Sequence, residues 1–384
     1  MLLPKDKTYE EKLFIKPDKQ LIFLFFIIRP AAYYELILLK DHEIMSTKTK
    51  PLIITAIVVV AIVAFIVWQN KKDNNTSASV RDNKPVVIAY QTGVDPSKVA
   101  QANGDYEKHS QRTIQWKKFD AGSDVVNALA SGDVVLGNIG SSPLAAAASR
   151  NLPIEVFLIT SKLGASEALV VSNKSGIKTP QDLIGKTIAV PFVSTTHYSL
   201  LSALKHWNIP EDKVKIINLR PPEISAAWER GDIDAAYVWE PALSKAKASG
   251  TVLTDSKQVG EWGAPTYDLW VVRKDFAEKN PDFLKAFVQT TLEQLEKYNQ
   301  DPAAYVKDAD NVQKIAQLTG SDAKDIPLLL SGNIYLDHAQ QKQTLDGEFA
   351  QNIFDTAKFL KGQGKVDQLK ADYKGNVNSS FLQP

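Results

Sequence analysis

Apolar and polar positions alternate in two different ways along most of the chain. Short runs rich in β-branched residues, such as VVIAY at 86–90 and IEVFLI at 154–159, have the length and composition of buried strands. Between such runs, apolar residues recur every three or four positions, as in DFLKAFVQTTLEQLEKY at 282–298, which is the period of a helix. Strands that alternate with helices are typical of α/β proteins with a largely parallel sheet. We therefore predict an α/β fold from Val86 onward.

The alternation of strands and helices starts a second time after Glu167. The segments ALASGDVVLGNIGSSP and AWERGDIDAAYVWEP follow one order: a helix end with glycine, a strand, a loop and a proline at the next helix start. One interpretation is that any unit of this kind looks similar. The interpretation that we favour is two similarly wound lobes with a central cleft. The first lobe is predicted at 85–173 with 266–384, and the second at 174–265.

A separate apolar run at 52–68, LIITAIVVVAIVAFIVW, carries no charge and precedes the folded body. Lysines precede this run, as in export signals, and as a helix it would span about 25 Å, near the lower limit for crossing a bilayer. We predict that residues 45–84 form an export or membrane-anchor segment with a polar linker. The chain is then exported, and it is either released after cleavage or tethered to the membrane by residues 52–68.

The 44 residues before Met45 match no targeting signal, whereas the sequence from Met45 resembles a complete export segment. We therefore expect residues 1–44 to be a non-native upstream extension and translation to start at Met45.

Composition and charge exclude several functional classes. With 45 Lys and Arg against 44 Asp and Glu, the chain has no net field that would attract nucleic acid, so nucleic acid is not an expected partner. The absence of cysteine excludes disulfides, thiolate metal sites and a cysteine nucleophile. The five histidines have no metal-ligand spacing, and we expect neither a metal nor a cofactor.

Hydroxyl and amide side chains occupy the loops after several predicted strands, where ligands of open α/β sheets bind. Gln91 follows the first strand, and the pairs Ser141–Ser142 and Thr195–Thr196 stand at predicted helix N-caps. Capping alone is one explanation for these hydroxyls. However, a helix start also combines free N–H donors with a positive dipole end. Two such starts, one from each lobe, predict a site for a tetrahedral oxyanion.

The second lobe and the return strand supply aromatic and acidic groups near the same edge. Trp239 ends one predicted strand and Glu240 follows it, whereas Tyr267 and Asp268 begin another strand. Aromatic faces with a carboxylate suit an ammonium group, although strand aromatics more often belong to a core. Donors for an anion and acceptors for a cation together describe a small zwitterion.

An enzyme is the competing functional class, because Thr196 stands directly before His197. Neighbouring residues at a helix start point in different directions, so His197 is a poor general base for the Thr196 hydroxyl. We favour a binding protein over an enzyme and keep a hydrolase that uses Thr196 and His197 as a distant alternative.

Five long segments carry a family resemblance that covers the chain from about Val86 to Leu336. They are IAYQTGVDPSKVAQA, WKKFDAGSDVVNALASGDVVLGNIGSSPLAAAAS, PIEVFLITSKLGASEALVV, DLIGKTIAVPFVSTTHYSLLSALKHW and AWERGDIDAAYVWEPAL. In this order they resemble the taurine-binding periplasmic proteins of the sulfonate and nitrate ABC importer family.

The resemblance implies a type II periplasmic binding protein fold, in a monomer whose two lobes close on taurine and deliver it to a membrane permease with an ATPase. Asp268 would face the amine of taurine, with Glu240 as the second choice. An alkanesulfonate, a sulfate ester or another small anion is the alternative ligand. The residues implied around the sulfonate are Gln91, Ser141, Ser142, Thr195 and Thr196.

Overall fold

A computed structural model of the chain describes residues 84–382. The predicted upstream extension at 1–44, the export or anchor run at 52–68 and the linker up to residue 83 lie outside the described residues. Within the described part, no helix is both long enough and apolar enough to cross a membrane.

Strands form at the apolar runs that the sequence pattern predicts. The run at 154–159 continues as strand to Lys162 and is buried except at its last residue. The strands are β1 Val86–Tyr90, β2 Ile114–Lys118, β3 Leu136–Gly140, β4 Ile154–Lys162, β5 Ala168–Ser172, β6 Thr187–Val190, β7 Lys215–Asn218, β8 Ala235–Val238, β9 Gly250–Asp255 and β10 Tyr267–Arg273.

Helices occupy the connections between these strands and nearly all regular structure after β10. The prediction of a helix at 282–298 is confirmed. The helices are α1 Lys98–Asn103, α2 Asp105–Ser110, α3 Gly122–Ser131, α4 Ser141–Ser149, α5 Thr195–His206, α6 Pro221–Arg230, α7 Ala242–Lys247, α8 Ser256–Glu261, α9 Lys274–Lys279, α10 Pro281–Gln300, α11 Pro302–Lys307, α12 Ala309–Thr319, α13 Ile326–Ser331, α14 His338–Asp346 and α15 Phe349–Gly362.

The strands form two five-stranded sheets with the same internal plan. The first has the order β2-β1-β3-β10-β4 and the second β7-β6-β8-β5-β9. In the first sheet β1 pairs in parallel with β2 and β3, and β10 is antiparallel to β3 and β4. In the second, β6 and β5 take the corresponding places. The α/β class and the two-lobed plan are therefore confirmed, and we call the two sheets with their helices the first and second lobes.

The expected boundary between the lobes at residue 173 needs correction by one strand. β5 pairs with β8 and β9 of the second sheet, so the chain crosses between the lobes at 163–167. The apolar run of β5 is compatible with either sheet, because pairing partners so distant along the chain leave no local signal. The chain is back in the first sheet at β10, which starts at Tyr267.

Side chains of β8 alternate between two cores, as strand geometry requires. Ala235 and Tyr237 pack in the core that contains α5. Ala236 and Val238 pack on the opposite face with residues of α6 and α7. Covering both faces of the sheet leaves its strand ends and the adjoining loops for contact with the first lobe.

Contacts outside the cleft centre join the two lobes. Thr92 Oγ1 donates to the backbone oxygen of Glu240 at 2.8 Å. The Arg220 guanidinium lies 2.9 Å from the Asp124 carboxylate. The rings of Tyr198 on α5 and Phe359 on α15 meet edge to face with centroids 4.7 Å apart. The structure is therefore a closed arrangement of the lobes.

Candidate ligand-binding site

The helix caps stand one residue earlier than the sequence predicts. Helix α4 begins at Ser141 with Gly140 as its N-cap, and α5 begins at Thr195 with Ser194 as its N-cap. The Ser194 hydroxyl accepts from the backbone N–H of His197 at 3.1 Å. The prediction that Ser141, Ser142, Thr195 and Thr196 are caps is therefore wrong; they are the first two residues of each helix.

Of these four side chains, three form hydrogen bonds within the protein and one has no partner. Ser141 Oγ accepts from the N–H of Tyr267 at 3.3 Å, and Thr196 Oγ1 shares a hydrogen bond with Ser194 Oγ at 2.8 Å. Thr195 Oγ1 donates to Glu167 Oε1 at 2.5 Å. Ser142 is fully buried, and its hydroxyl is among the few buried polar atoms of the described residues that have no hydrogen-bond partner. Such an orphan next to a cleft indicates a place for a polar group that the protein itself does not supply.

A cavity lies between the lobes at the carboxyl ends of the strands, where the sequence predicts a site. Five of the predicted site residues line it, whereas Ser141, Ser142 and Thr196 are buried nearby without lining it. The cavity-lining residues are Gln91, Gly93, Val94, Gly122, Gly140, Pro143, Leu163, Ser166, Glu167, Ser194, Thr195, Trp239, Glu240, Asp268 and Asn333.

Gln91 follows β1 and is buried at the cavity wall. One proton of its side-chain amide goes to the backbone oxygen of Asn138 at 2.9 Å, which holds the amide against β3. A primary amide has a second proton and a carbonyl oxygen. Gln91 therefore retains hydrogen-bonding capacity for a ligand while its orientation is held.

Asp268 is a half-buried residue whose carboxylate lies at the inner wall of the cavity. Its position deep in the fold and the nearby Asp95 carboxylate raise its pKa to about 6, and Lys98 opposes this shift. Lys98 lies 3.4 Å from Asp95 in a buried ion pair, so its charge is shared. A carboxylate that is poorly solvated and incompletely balanced attracts a cation into the cavity.

Sequence reasoning missed Glu167, which is buried and also lines the cavity. It accepts hydrogen bonds from Thr195 and from Ser256 Oγ at 3.0 Å. Burial, together with the negative charge of Asp268, raises its pKa to about 8 against these hydrogen bonds. The signal available in the sequence was a single carboxylate within the otherwise uncharged run at 163–173.

Trp239 and Glu240 both line the cavity, but the Glu240 side chain is already engaged. Its carboxylate accepts from Ser244 Oγ at 2.9 Å and from the Ser244 N–H at 3.2 Å. Burial raises the pKa of Glu240, and the nearby Asp325 acts in the same direction. Of the two predicted amine partners, Asp268 is the one whose carboxylate remains available.

The geometry of His197 contradicts the hydrolase alternative. Its Nδ1 accepts from the N–H of Val193 at 3.4 Å, and its ring stacks on Phe192 with centroids 4.7 Å apart. Thr196 pairs instead with Ser194. Burial and the charge of Lys365 lower the pKa of His197 to about 4. The ring is a packed neutral side chain whose accepting nitrogen is turned to the backbone.

Within residues 84–382, no group of three or more His, Asp or Glu residues is arranged to hold a metal ion.

Comparison with known families places the described chain among transport proteins. Residues 84–317 match the family described as the substrate-binding domain of ABC-type glycine betaine transport systems. The taurine-binding periplasmic protein of Escherichia coli K12 is 54% identical over 84% of this chain and 97% of its own length. A putative aliphatic sulfonates-binding protein of the same organism is 28% identical over 65% of this chain and 75% of its own length.

Solved structures agree on the fold. The crystal structure of the periplasmic aliphatic sulphonate-binding protein from Escherichia coli superposes with a TM-score of 0.63 at 22% identity. It covers 78% of this chain and 99% of that one. The alkanesulfonate-binding protein of Xanthomonas axonopodis, solved with MOPS bound, gives a TM-score of 0.62 at 21% identity over 74% of this chain and 94% of that one. The predicted periplasmic binding protein fold is confirmed.

Proposed function

The chain belongs to the family of substrate-binding domains of ABC-type transport systems, and from this premise we propose that its ligand is taurine, 2-aminoethanesulfonate. The observation that carries the proposal is the cavity between the lobes, where two helix starts meet a carboxylate without a committed partner. Anion donors and a cation acceptor in one small space match the two ends of a zwitterion. The taurine-binding relative in Escherichia coli supports the same ligand.

We assign the sulfonate to the starts of α4 and α5. The first N–H groups of a helix have no partner within the helix and carry the positive end of its dipole. Ser141 and Ser142 supply such donors in one lobe, and Thr195 and Thr196 in the other. The orphan hydroxyl of Ser142, which can rotate, and the second amide proton of Gln91, whose orientation is held, add donors for sulfonate oxygens.

We assign the ammonium group to Asp268, with Trp239 as an apolar and aromatic wall. Glu240 ranks second because its carboxylate already accepts two hydrogen bonds from Ser244. A ligand without an amine, such as a plain alkanesulfonate, would leave the Asp268 charge unpaired in a closed cavity, which costs free energy. This cost favours taurine over the sulfonates that other relatives are named for.

Capture follows from closure of the two lobes. Each lobe alone offers one helix start, so an open protein presents half of the donors at a time. A ligand that touches both lobes shifts the population towards the closed form. As in ABC import systems generally, the closed receptor delivers its solute to a membrane permease driven by an ATPase.

The protein functions in the periplasm, as its relatives do. We further propose that the run at 52–68 exports the chain and either remains as a tether or is removed. The mass of the mature protein, together with its recovery in the soluble or membrane fraction, distinguishes the two outcomes.

A calorimetric titration panel tests the proposed ligand. Taurine, ethanesulfonate and inorganic sulfate are titrated into the purified chain that starts at Met45. We expect taurine to bind at least about tenfold more tightly than ethanesulfonate, because only taurine pairs with Asp268. Binding of ethanesulfonate with equal or greater affinity would contradict the assignment of taurine.

A further inference from the structure

Glu167 and Asp268 belong to different lobes although they line one cavity. Glu167 directly precedes β5 and is held by second-lobe hydroxyls, Thr195 on α5 and Ser256 on α8. Asp268 lies in β10 of the first sheet, opposite Gly140 of β3. In the closed arrangement, one carboxylate held by each lobe therefore lines the same cavity.

We propose, on the basis of the taurine function above, that Glu167 and Asp268 form a carboxylate pair divided between the lobes and that the ammonium group of the ligand lies between them. The ligand cation then acts as the counter-charge that makes closure favourable. A ligand that carries only a sulfonate adds a third negative charge to the pair. The preference for a zwitterion would thus arise from the free energy of closure as well as from the contact between the ammonium group and Asp268.

The protein provides little positive charge to balance this pair. The described residues that line the cavity include no Lys, Arg or His. Lys98 near Asp268 is already paired with Asp95, and the Glu240 carboxylate is turned to Ser244.

The groups around Glu167 are hydroxyls. Thr195 and Ser256 donate to its carboxylate, and the Tyr237 hydroxyl meets it through Ser256 at 3.1 Å. Hydroxyls stabilise a carboxylate without neutralising it. The negative charge of Glu167 is therefore neutralised by a ligand cation or by a proton.

The proton alternative gives the pair a pH signature. In the closed cavity the pKa of Glu167 is about 8 and that of Asp268 about 6, both above the ordinary values of 4.5 and 3.8. Closing on a ligand without a cation therefore requires proton uptake. The protein therefore binds such a ligand most tightly at low pH. The affinity weakens as the pH rises from the ordinary carboxyl range to about 8. An ammonium group replaces the proton, so the affinity for taurine should change much less.

The experiment measures this difference by calorimetry at about pH 5.5, 7 and 8.5 with taurine and ethanesulfonate. For the unsubstituted protein, we expect ethanesulfonate affinity to fall by up to about tenfold per pH unit over this range and to level off above about pH 8. Glu167→Gln should remove the part of this dependence above about pH 6, because only Asp268 then titrates. The variant should also bind taurine about tenfold more weakly and narrow the preference for taurine.

Glu155→Gln is the matched control. Glu155 is also a buried glutamate, but it lies in β4 and accepts from Asn378 Nδ2 at 2.6 Å, away from the cavity. This variant should keep both the preference for taurine and the pH dependence of ethanesulfonate binding.

Two outcomes would overturn the proposal while leaving the taurine function intact. One is taurine binding by Glu167→Gln with unchanged affinity and preference. The other is a pH-independent ethanesulfonate affinity in the unsubstituted protein, which decides the matter even if the variant fails to fold. In contrast, a protein that does not bind taurine at any pH would refute the proposed function itself.

Discussion

At the scale of single residues, Asp268 and Glu240 illustrate how two carboxylates on one cavity come to differ. Glu240 accepts from Ser244, four residues later on the following helix α7. Asp268 is the second residue of the internal strand β10 and lies beside Gly93, where an added Cβ would be 3.0 Å from its Oδ2. The glycine leaves room beside the carboxylate, which a side chain at position 93 would fill.

Replacing Asp268 with asparagine tests this difference. Asp268→Asn keeps the shape and removes the charge, so we expect taurine affinity to fall by about ten- to a hundredfold, or roughly 1.5–3 kcal/mol. Ethanesulfonate affinity should rise or stay constant, because no carboxylate then opposes it. Calorimetry measures both affinities.

Glu240→Gln serves as the comparison for this prediction. It should leave the affinity for taurine within about threefold of the unsubstituted protein, since its carboxylate faces Ser244. A larger loss in Glu240→Gln than in Asp268→Asn would reverse the assignment of the amine partner.

At the scale of elements, the starts of α4 and α5 approach each other across the cleft. A Cβ at Gly140, the N-cap of α4, would lie 2.6 Å from Thr195 Cγ2. The backbone at Gly140 has φ −77° and ψ 167°, which any residue adopts. The glycine is thus required by the close approach of the other lobe and not by backbone conformation.

Gly140→Ala should therefore impair closure without impairing folding. We expect the affinity for taurine to fall at least about tenfold, because the two sets of donors can no longer meet at their present spacing. The thermal unfolding midpoint without ligand should change by less than about 2 °C, since the backbone is unstrained and the clash arises only between lobes. Calorimetry and thermal unfolding measure the two quantities.

Gly260→Ala is a suitable control on α8, where an added Cβ would meet Pro265 at an ordinary 3.5 Å. It should bind taurine normally. Normal taurine binding by Gly140→Ala would show that the helix starts do not need their present approach.

At the scale of the whole molecule, the C-terminal helix α15 contributes to closure from outside the cavity. Phe359 packs against the cores of both lobes and meets Tyr198 of α5. Lys365, just beyond this helix, lies 4.5 Å from the ring of Phe192 in the second lobe. These contacts exist only when the lobes are together, so they stabilise the closed state with or without a ligand.

Phe359→Ala should shift the balance between open and closed forms. An aromatic pair contributes about 0.5–1.5 kcal/mol beyond area burial, so apparent affinity should fall about two- to tenfold. The factor should be the same for taurine and ethanesulfonate, because Phe359 does not line the cavity. Calorimetry with both ligands measures it.

Phe354→Ala on the same helix provides the control, since Phe354 packs within the first lobe against Tyr373. It should lower stability and leave both affinities unchanged. A loss of affinity for only one ligand in Phe359→Ala would place its effect on the ligand and not on closure.

Much of the fold and part of the candidate site follow from local features of the chain. Two series of strands and helices predict two similar lobes, because in each series glycine marks a helix end and proline marks the next helix start. Five predicted site residues line the cavity: Gln91, Trp239 and Glu240 follow strands, Thr195 begins α5 and Asp268 lies in β10. The cap positions were wrong by one residue because Gly140 and Ser194 are selected by backbone dihedral angles that composition does not reveal.

The sequence by itself determined the periodicity of the elements, the loops that carry polar groups and the family to which the chain belongs, because these depend on neighbouring residues. Only the tertiary structure decided which lobe receives β5, that Ser142 lacks a partner and that Glu167 lines the same cavity as Asp268. Such facts depend on approaches between segments far apart along the chain, whose distances follow from the packing of two lobes. The charged groups that surround a ligand come from both lobes, and no local sequence pattern shows which of them lie close together.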